Sequence, residues 1–289
     1  MVFFRILLLA SLFLLPGQAF AQDTPAVPVQ AVEAETLSAE DVQGPVVLEL
    51  FSSQACVFCP KADQLLGDLS SMKNIIALSC HVDYFDVGKG SLAEPLCTKR
   101  QGDYAGNLHS GPAYTPQMVI NGAYDAVGYR IDDIAKVLRK ASRPGLLPVT
   151  IRKVDNKFRY QIALPEIEMP TVVSDVAATA DTGVYDVWIA MIDRPHAITV
   201  AEGSNKGKDM RYYNIISDLF SLGQWDGQKK TMLVNIKTLS RHHSFVVLAQ
   251  KPGGEIIAVG RRSVIPTPTA IVEKTSDDDL FDFFGFFED

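Results

Sequence analysis

Two cysteines, Cys56 and Cys59, lie three positions apart in the segment FSSQACVFCPKADQLL, residues 51 to 66. At this spacing in a helical turn both sulfur atoms lie on one face, close enough to form a disulfide. The pair also stands where a helix is expected to begin, and the N-terminus of a helix lowers the pKa of a thiol. The pattern predicts a redox-active pair in which Cys56 is the nucleophile and Cys59 resolves the mixed disulfide.

Other kinds of site use the same residues. A structural disulfide between Cys56 and Cys59 is disfavoured, because so short a loop constrains the unfolded chain little. Together with His81, the two thiols are suitable ligands for Cu(I) or Zn(II). No second CxxC and no HxxxH motif accompanies them. We therefore predict no metal or other cofactor, and keep an extracytoplasmic metal chaperone or sensor, or a non-catalytic interaction protein, as alternatives.

The elements around the pair predict the fold. Buried strands are expected at 45 to 51 and 75 to 82, and between them a helix in which Ala62, Leu65, Leu66 and Leu69 stand at helical spacing and which ends in SSMKN. Further helices are expected at about 92 to 108 and at 131 to 141, and a β-hairpin at 117 to 128. The resulting order, βαβαββα, is the architecture of a thioredoxin-like α/β domain, which we place at residues 45 to 143.

Two further residues are predicted to belong to the site. Pro116 precedes the third strand, where a thioredoxin-like domain carries a cis-proline loop against the cysteines, and we expect the Thr115–Pro116 bond to be cis. Glu49 lies among apolar residues of the first strand. If it is buried, its pKa rises, and the carboxylate is then suited to take the proton of Cys59 during exchange.

After residue 147 the sequence changes character. Short strand-like runs with turn signals between them predict a mainly-β, sandwich-like domain over residues 148 to 265. One helical insertion is expected at 211 to 223. The segment EGSNKGKD, residues 202 to 209, lacks the spacing of a phosphate-binding loop, so we interpret it as a glycine turn. Residues 266 to 289 are acidic with interleaved phenylalanines and are expected to be disordered.

The N-terminus and the charge indicate compartment and partners. Residues 1 to 21 have the basic start, the short apolar run and the small residues of a signal peptide, and a flexible leader follows at 22 to 44. We therefore expect a secreted or periplasmic protein without a stable membrane anchor. The net charge is −7, but residues 273 to 289 contribute most of it, so nothing favours nucleic-acid binding. The expected partner is a protein thiol or disulfide, or a small-molecule disulfide.

Five motifs in order together resemble a known family. They are VVLELFSSQACVFCPKADQLLGDL, IIALSCHVDYFD, TKRQGDYA, YTPQMVINGAYDAVG and EGSNKGKDMRYYNIISDLFSLGQWDG. Between residue 45 and about residue 264 the chain resembles the secreted bacterial thioredoxin-like family catalogued as domain of unknown function 1223. The resemblance implies a thioredoxin fold and a signal peptide, and no settled substrate. The chain departs from the family at Cys80, where an aromatic residue is usual.

Cys80 and Cys97 complete the cysteine content, and four cysteines allow three pairings. Cys80 closes the second strand and Cys97 starts the following helix, so we expect a second disulfide between them. Two alternatives stay open at this point. In the first alternative, both thiols stay reduced and buried. In the second, Cys80 receives electrons from Cys59 in a relay.

Overall fold

The computed structural model describes Val42 and residues 44 to 263, except for 86, 87, 89, 109, 110, 156, 157, 168–182 and 237–243. The expected signal peptide, most of the leader and the acidic tail lie outside the described residues. The leader ends earlier than expected, because Val42 is buried and its carbonyl accepts a hydrogen bond from Asn74 Nδ2 at 2.6 Å. Among the described residues, no helix combines the length and apolar character needed to cross a membrane.

The N-terminal part contains seven elements in the order βαβαββα. They are β1 (Val46–Ser52), α1 (Cys59–Leu69), β2 (Ile75–His81), α2 (Pro95–Leu108), β3 (Gln117–Ile120), β4 (Tyr124–Val127) and α3 (Ile131–Ala141). The strands form one sheet in the order β2-β1-β3-β4. β1 runs parallel to β2 and antiparallel to β3, and β3 and β4 form the expected hairpin.

Every residue of β1 is buried, because both faces of this sheet are covered. Alternate side chains of a strand point to opposite faces. Leu48 and Leu50 pack with residues of α1 and α3, such as Leu66. Val47 and Phe51 point the other way and pack with residues of α2 and of the C-terminal strands. The near-continuous apolar run of β1 is typical of a strand buried on both faces.

The C-terminal part consists of strands in the residues that the structure describes. They are β5 (Leu147–Pro148), β6 (Thr150–Lys153), β7 (Arg159–Leu164), β8 (Tyr185–Ile192), β9 (His196–Thr199), β10 (Asp209–Tyr212), β11 (Ile216–Trp225), β12 (Lys230–Asn235), β13 (Ser244–Gln250) and β14 (Ile256–Ser263). A five-stranded sheet has the order β11-β8-β13-β14-β5, a three-stranded sheet the order β12-β7-β6, and β9 pairs with β10. The two larger sheets enclose one hydrophobic core, in which the rings of Tyr160 and Phe245 meet edge to face at 5.1 Å.

The five-stranded sheet also packs against the N-terminal part. Val246 and Leu248 of β13 belong to the same hydrophobic core as Phe51, Leu78 and Val119. All seven residues of β13 are therefore buried, since one face of the strand meets the three-stranded sheet and the other meets β1, β2 and β3. The described residues all fall in one compact unit. The two predicted domains thus share a core rather than a linker alone.

The helical insertion predicted at 211 to 223 is a strand in the structure. β10 and β11 occupy the segment, and Asn214, with a φ of 49°, interrupts the chain between them. β11 pairs with β8 through two register shifts. Each bulge changes the face to which the following side chains point, so the alternation of a regular strand is lost. Ile216, Leu219 and Leu222 consequently stand three residues apart, a spacing that indicates a helix in the sequence.

Candidate functional site

Cys56 and Cys59 lie at the junction between β1 and α1. The chain leaves β1 and forms a turn in which the N–H of Cys56 donates to the carbonyl of Ser53 at 3.2 Å. It then enters α1 at Cys59, whose N–H donates to the carbonyl of Cys56 at 3.3 Å. Cys56 is partly exposed, whereas Cys59 has no exposed surface. The turn thus presents one thiol to solvent and directs the other inward.

The two thiols have opposite acidities. A hydrogen bond from the Cys59 thiol to Cys56 is the main cause that lowers the pKa of Cys56 to about 6, while partial burial opposes the shift. A hydrogen bond with Thr115 lowers the pKa further, and the backbone N–H groups of Phe58 and Cys59 add smaller contributions. The same hydrogen bond, followed by burial, raises the pKa of the Cys59 thiol far above its ordinary value. Cys56 is therefore a thiolate near neutral pH and Cys59 keeps its proton.

Pro116 lies beside the cysteines. The Thr115–Pro116 peptide bond is cis, as expected, and Cys56 Sγ is 3.7 Å from the carbonyl oxygen of Thr115. The carbonyl of Pro116 accepts a hydrogen bond from the N–H of Gly128 at 2.9 Å. A methyl group on Gly128 would come within 3.0 Å of Pro116 Cβ, so glycine allows this close approach. The loop before β3 is thereby fixed against the exposed thiol.

A buried carboxyl group, Asp63, lies on the same face of α1 as Cys59. It follows Cys59 by four residues, which places the two side chains one helical turn apart. The Ser52 hydroxyl donates to Asp63 Oδ2 at 2.9 Å and also forms a hydrogen bond with Cys59. Oδ1 has no partner among the described residues, and burial raises the pKa of Asp63 to about 8. The prediction from sequence missed this residue, whose signal was a carboxylate among the apolar positions of α1.

Glu49, the predicted proton acceptor for Cys59, does not lie near it. The side chain is buried, but it points to the face of β1 that α2 covers, whereas Cys59 lies on the opposite face with α1. Arg100 Nε and Nη2 donate to its two carboxylate oxygens at 2.6 and 3.0 Å, and the Tyr104 hydroxyl donates as well. The geometry does not fit the predicted role, because the carboxylate is paired across the sheet from the thiol.

Cys80 and Cys97 are joined by a disulfide. Both residues are fully buried, and Cys80 pairs with Phe51 across β1 and β2, on the α2 side of the sheet. Cys59 belongs to α1, on the other side. The sheet therefore separates this disulfide from the Cys56 and Cys59 pair, which does not fit a relay of electrons from Cys59 to Cys80.

His81 does not join the cysteines as a metal ligand. Its ring is buried and meets the ring of Tyr212 edge to face, with centroids 5.0 Å apart. Burial lowers the pKa of His81 to about 4, so the ring is neutral near pH 7. In the part of the chain that the structure describes, no three His, Cys, Asp or Glu side chains are grouped so as to hold a metal ion. The alternative site of Cys56, Cys59 and His81 is thus not assembled.

The distal segment EGSNKGKD packs directly against the cysteine loop. Asn205 is fully buried, and its Nδ2 donates to the carbonyl groups of Gln54 and Cys56 at 3.0 and 2.7 Å. Gly203 has a φ of +79°, and a Cβ at this position would lie 2.6 Å from the Cα of Ala55. The segment contains the expected glycine turn, but its contact with the loop was not predicted, because local spacing carries no signal across 149 residues.

Exposed apolar side chains surround Cys56. Val57 and Phe58, between the two cysteines, are 56% and 57% exposed. Phe85 is 53% exposed and lines, with residues 54 to 55, a cavity of about 220 Å³. Large apolar side chains left in water at one place mark a surface for an apolar partner. Part of the surface near the partly exposed Cys56 is therefore apolar.

The comparisons with known proteins agree with the resemblance found in the sequence. The chain belongs to the family described as protein of unknown function DUF1223, whose model matches residues 47–250. It is similar to the crystal structure of protein AGR_C_4864 from Agrobacterium tumefaciens, with 26% sequence identity and a TM-score of 0.65 over 78% of this chain and 97% of that chain. No curated protein matches the chain. Membership of the family is thereby confirmed.

Proposed function

We propose that this member of the DUF1223 family is a thiol–disulfide oxidoreductase of the thioredoxin type that acts through Cys56 and Cys59. One observation carries the proposal. A partly exposed thiol whose pKa is lowered to about 6 lies beside a buried thiol that donates a hydrogen bond to it. Dithiol exchange needs this asymmetry, because one sulfur must attack as a thiolate while the other stays protonated until the mixed disulfide has formed.

A thioredoxin-like fold for the N-terminal part belongs to the same proposal. It is supported by the order βαβαββα and by the sheet order β2-β1-β3-β4, with the cysteines where β1 passes into α1. The position of Pro116 immediately before β3, beside Cys56, also supports it. The C-terminal sheets are then an addition to that fold, which completes the core on the α2 side.

The reaction is a two-electron exchange with a disulfide of the partner. The Cys56 thiolate attacks one partner sulfur, so that a Cys56–partner bond forms and the other partner sulfur leaves as a thiolate. Cys59 then loses its proton and attacks Sγ of Cys56, and this second step releases the second partner thiol. The partner disulfide is reduced to two thiols while Cys56 and Cys59 are oxidised to a disulfide. The reverse sequence oxidises a partner dithiol.

Asp63 serves as the proton acceptor for the second step. The Ser52 hydroxyl gives its proton to the ionised carboxylate and takes the proton of Cys59, so the Cys59 sulfur becomes a thiolate as it attacks Sγ of Cys56. With a pKa of about 8 the carboxyl group is mostly protonated at pH 7, and the ionised fraction that accepts the proton of Cys59 grows as the pH rises through 8. Asp63 thereby takes the role that the sequence assigns to Glu49.

The proposed setting is extracytoplasmic, where disulfides form and persist. A secreted or periplasmic location follows from the expected signal peptide, and a cysteine-containing polypeptide is the substrate class that the apolar surroundings of Cys56 favour. The non-catalytic interaction protein remains the alternative of another class. An activity assay separates the two.

The test is reduction of insulin disulfides and refolding of scrambled ribonuclease. We expect the native chain to catalyse at least one of them, and the Cys56→Ser variant to lose the activity. A Cys59→Ser variant should accumulate a mixed disulfide on Cys56, because the resolving thiol is gone. Equal activity of the native chain and the Cys56→Ser variant would contradict the proposal, as would failure of the Cys56 and Cys59 pair to exchange with glutathione.

A further inference from the structure

The carbonyl groups of three consecutive residues, 54 to 56, accept hydrogen bonds from one turn that is distant in the sequence. The carbonyl groups of Gln54 and Cys56 accept from the two N–H bonds of Asn205 Nδ2, at 3.0 and 2.7 Å. The carbonyl between them, that of Ala55, accepts from the N–H of Ser204 at 3.4 Å. The backbone of the loop is thus attached along its length to a turn of the C-terminal part.

The orientation of the Asn205 side chain is fixed from its other end. Lys208 Nζ donates to Asn205 Oδ1 at 3.0 Å, so the amide nitrogen must face the loop carbonyls. The turn itself is closed by the N–H of Lys208 on the carbonyl of Asn205 at 3.0 Å, and by paired bonds between Val200 and residues 207 to 208 at 2.8 and 2.9 Å. Asn205 has no exposed surface, so water does not compete for these bonds.

We propose that Asn205 is a positioning residue for Cys56. The side-chain amide of Asn205 holds the carbonyl groups of residues 54–56 so that the cysteine sulfur faces the N–H groups at the start of α1. A peptide plane fixed by its carbonyl also fixes the direction of the chain that follows it. The acidity of Cys56 agrees with this arrangement, because N–H groups of Phe58 and Cys59 contribute to its lowered pKa. This inference rests on the proposed function only for the purpose of the positioning, which is to prepare Cys56 for disulfide exchange.

The test measures the thiolate directly. The rate of alkylation of Cys56 by iodoacetamide is followed against pH, and the modified residue is quantified by peptide mass spectrometry. Asn205→Asp keeps the shape of the side chain but replaces the N–H donors with an oxygen that repels the two carbonyls. We expect the midpoint of the pH profile to rise by about one pH unit, since two bonds that shape the loop are lost and the new carboxylate also repels the thiolate. The lysine variants described below add no negative charge and test the loss of positioning separately.

Asn121 provides a matched control. It is also buried and also links two backbone groups, with Oδ1 accepting from the N–H of Val47 at 2.8 Å and Nδ2 donating to the carbonyl of Ala141 at 3.1 Å. It lies at the end of β1 remote from the cysteines. Asn121→Asp should leave the midpoint unchanged. A folded Asn205→Asp protein with the native midpoint would overturn the proposal, and so would equal shifts in the two variants.

A second pair of variants keeps the test informative if Asn205→Asp does not fold. Lys208→Met removes an exposed side chain and frees the amide of Asn205, and a smaller rise of the midpoint is expected. Lys206→Met removes the same charge from the same exposed turn and should not reproduce that rise; equal midpoints in the two lysine variants would overturn the proposal. Alkylation needs no substrate, so a chain that shows no disulfide exchange but keeps these differences refutes the proposed function and not this inference.

Discussion

Cys56 has the pKa of a reactive thiol because Cys59 donates a hydrogen bond to it, and this cause can be removed alone. In the Cys59→Ala variant we expect the midpoint of Cys56 alkylation to rise from about 6 towards the ordinary value of 9.0. The measurement is the rate of reaction with iodoacetamide as a function of pH. Native protein unfolded in urea gives the reference midpoint. An unchanged midpoint in the variant would show that the hydrogen bond is not the main cause.

Asp63 gives the folding stability a characteristic dependence on pH. Its pKa is about 8 in the folded chain and about 3.9 in an unfolded one, so between these values the folded chain binds more protons. The free energy of unfolding therefore falls as the pH rises through this interval. The Asp63→Asn variant lacks this proton, so its stability relative to the native chain should increase up to about pH 8 and then level off.

Urea unfolding of both proteins at several pH values, with Cys56 and Cys59 reduced, checks this prediction. The same variant should also prolong the mixed disulfide between Cys56 and a substrate, because Cys59 loses its proton acceptor. Ser52→Ala is the companion variant, since it breaks the contact with the carboxyl group but leaves the carboxyl in place. A stability difference that does not change with pH would contradict the raised pKa of Asp63.

At the scale of elements, a buried polar network joins β1, α2 and β13. Glu49 of β1 pairs with Arg100 of α2, and Arg100 Nη1 also donates to Gln250 of β13 at 3.2 Å. Gln250 Nε2 in turn donates to the Tyr104 hydroxyl at 3.1 Å. Every member is bonded to another, as buried polar groups require. The network fixes the position of α2 relative to β1 and β13.

Glu49→Gln leaves the Arg100 guanidinium buried without its counter-charge, and we expect a loss of about 3–5 kcal/mol in the free energy of unfolding. Lys99→Met serves as the control, because it breaks the exposed pair with Asp103 on the same helix, and such pairs contribute about 0.5 kcal/mol or less. Denaturant unfolding measures both. The alkylation profile of Cys56 should not change in Glu49→Gln, and a shifted profile would restore a role for Glu49 at the site.

These elements also show what the sequence can and cannot predict. Spacing and apolar runs were sufficient for βαβαββα and for the placement of Cys56, Cys59 and Pro116, since these are local patterns. The face to which Glu49 points depends on which elements cover each side of β1, and the contact of Asn205 depends on tertiary packing. The strand β11 was not predicted, because its two bulges interrupt the alternation expected of a strand. Pairing with β8, rather than a local pattern, determines that strand.

The whole molecule should unfold as one unit, because β13 contributes side chains to the cores on both of its faces. Both tryptophans, Trp188 and Trp225, lie in the C-terminal sheets, whereas α1, α2 and α3 lie in the N-terminal part. Tryptophan fluorescence and the helical circular dichroism signal thus follow different parts of the chain. We expect their urea transitions to coincide.

A variant with a weakened shared core serves as the control for this experiment. Leu248→Ala in β13 removes apolar contacts with the N-terminal sheet, and we expect it to lower the free energy of unfolding by roughly 2–5 kcal/mol. The urea midpoints of the fluorescence and circular dichroism signals should therefore fall together. Two separated transitions in the native chain would show instead that residues 45 to 143 and 148 to 265 are independent folding units.

The bond between Asn205 and the carbonyl of Cys56 spans 149 residues. At a synthesis rate of about 5–20 residues per second, roughly 7–30 s pass between the addition of the two residues to a growing chain. During that interval the cysteines exist without the turn that shapes their loop. A nascent polypeptide therefore carries Cys56 and Cys59 before their loop can be positioned from the distal turn, and the arrangement proposed for the loop becomes complete only after Asn205 has been added.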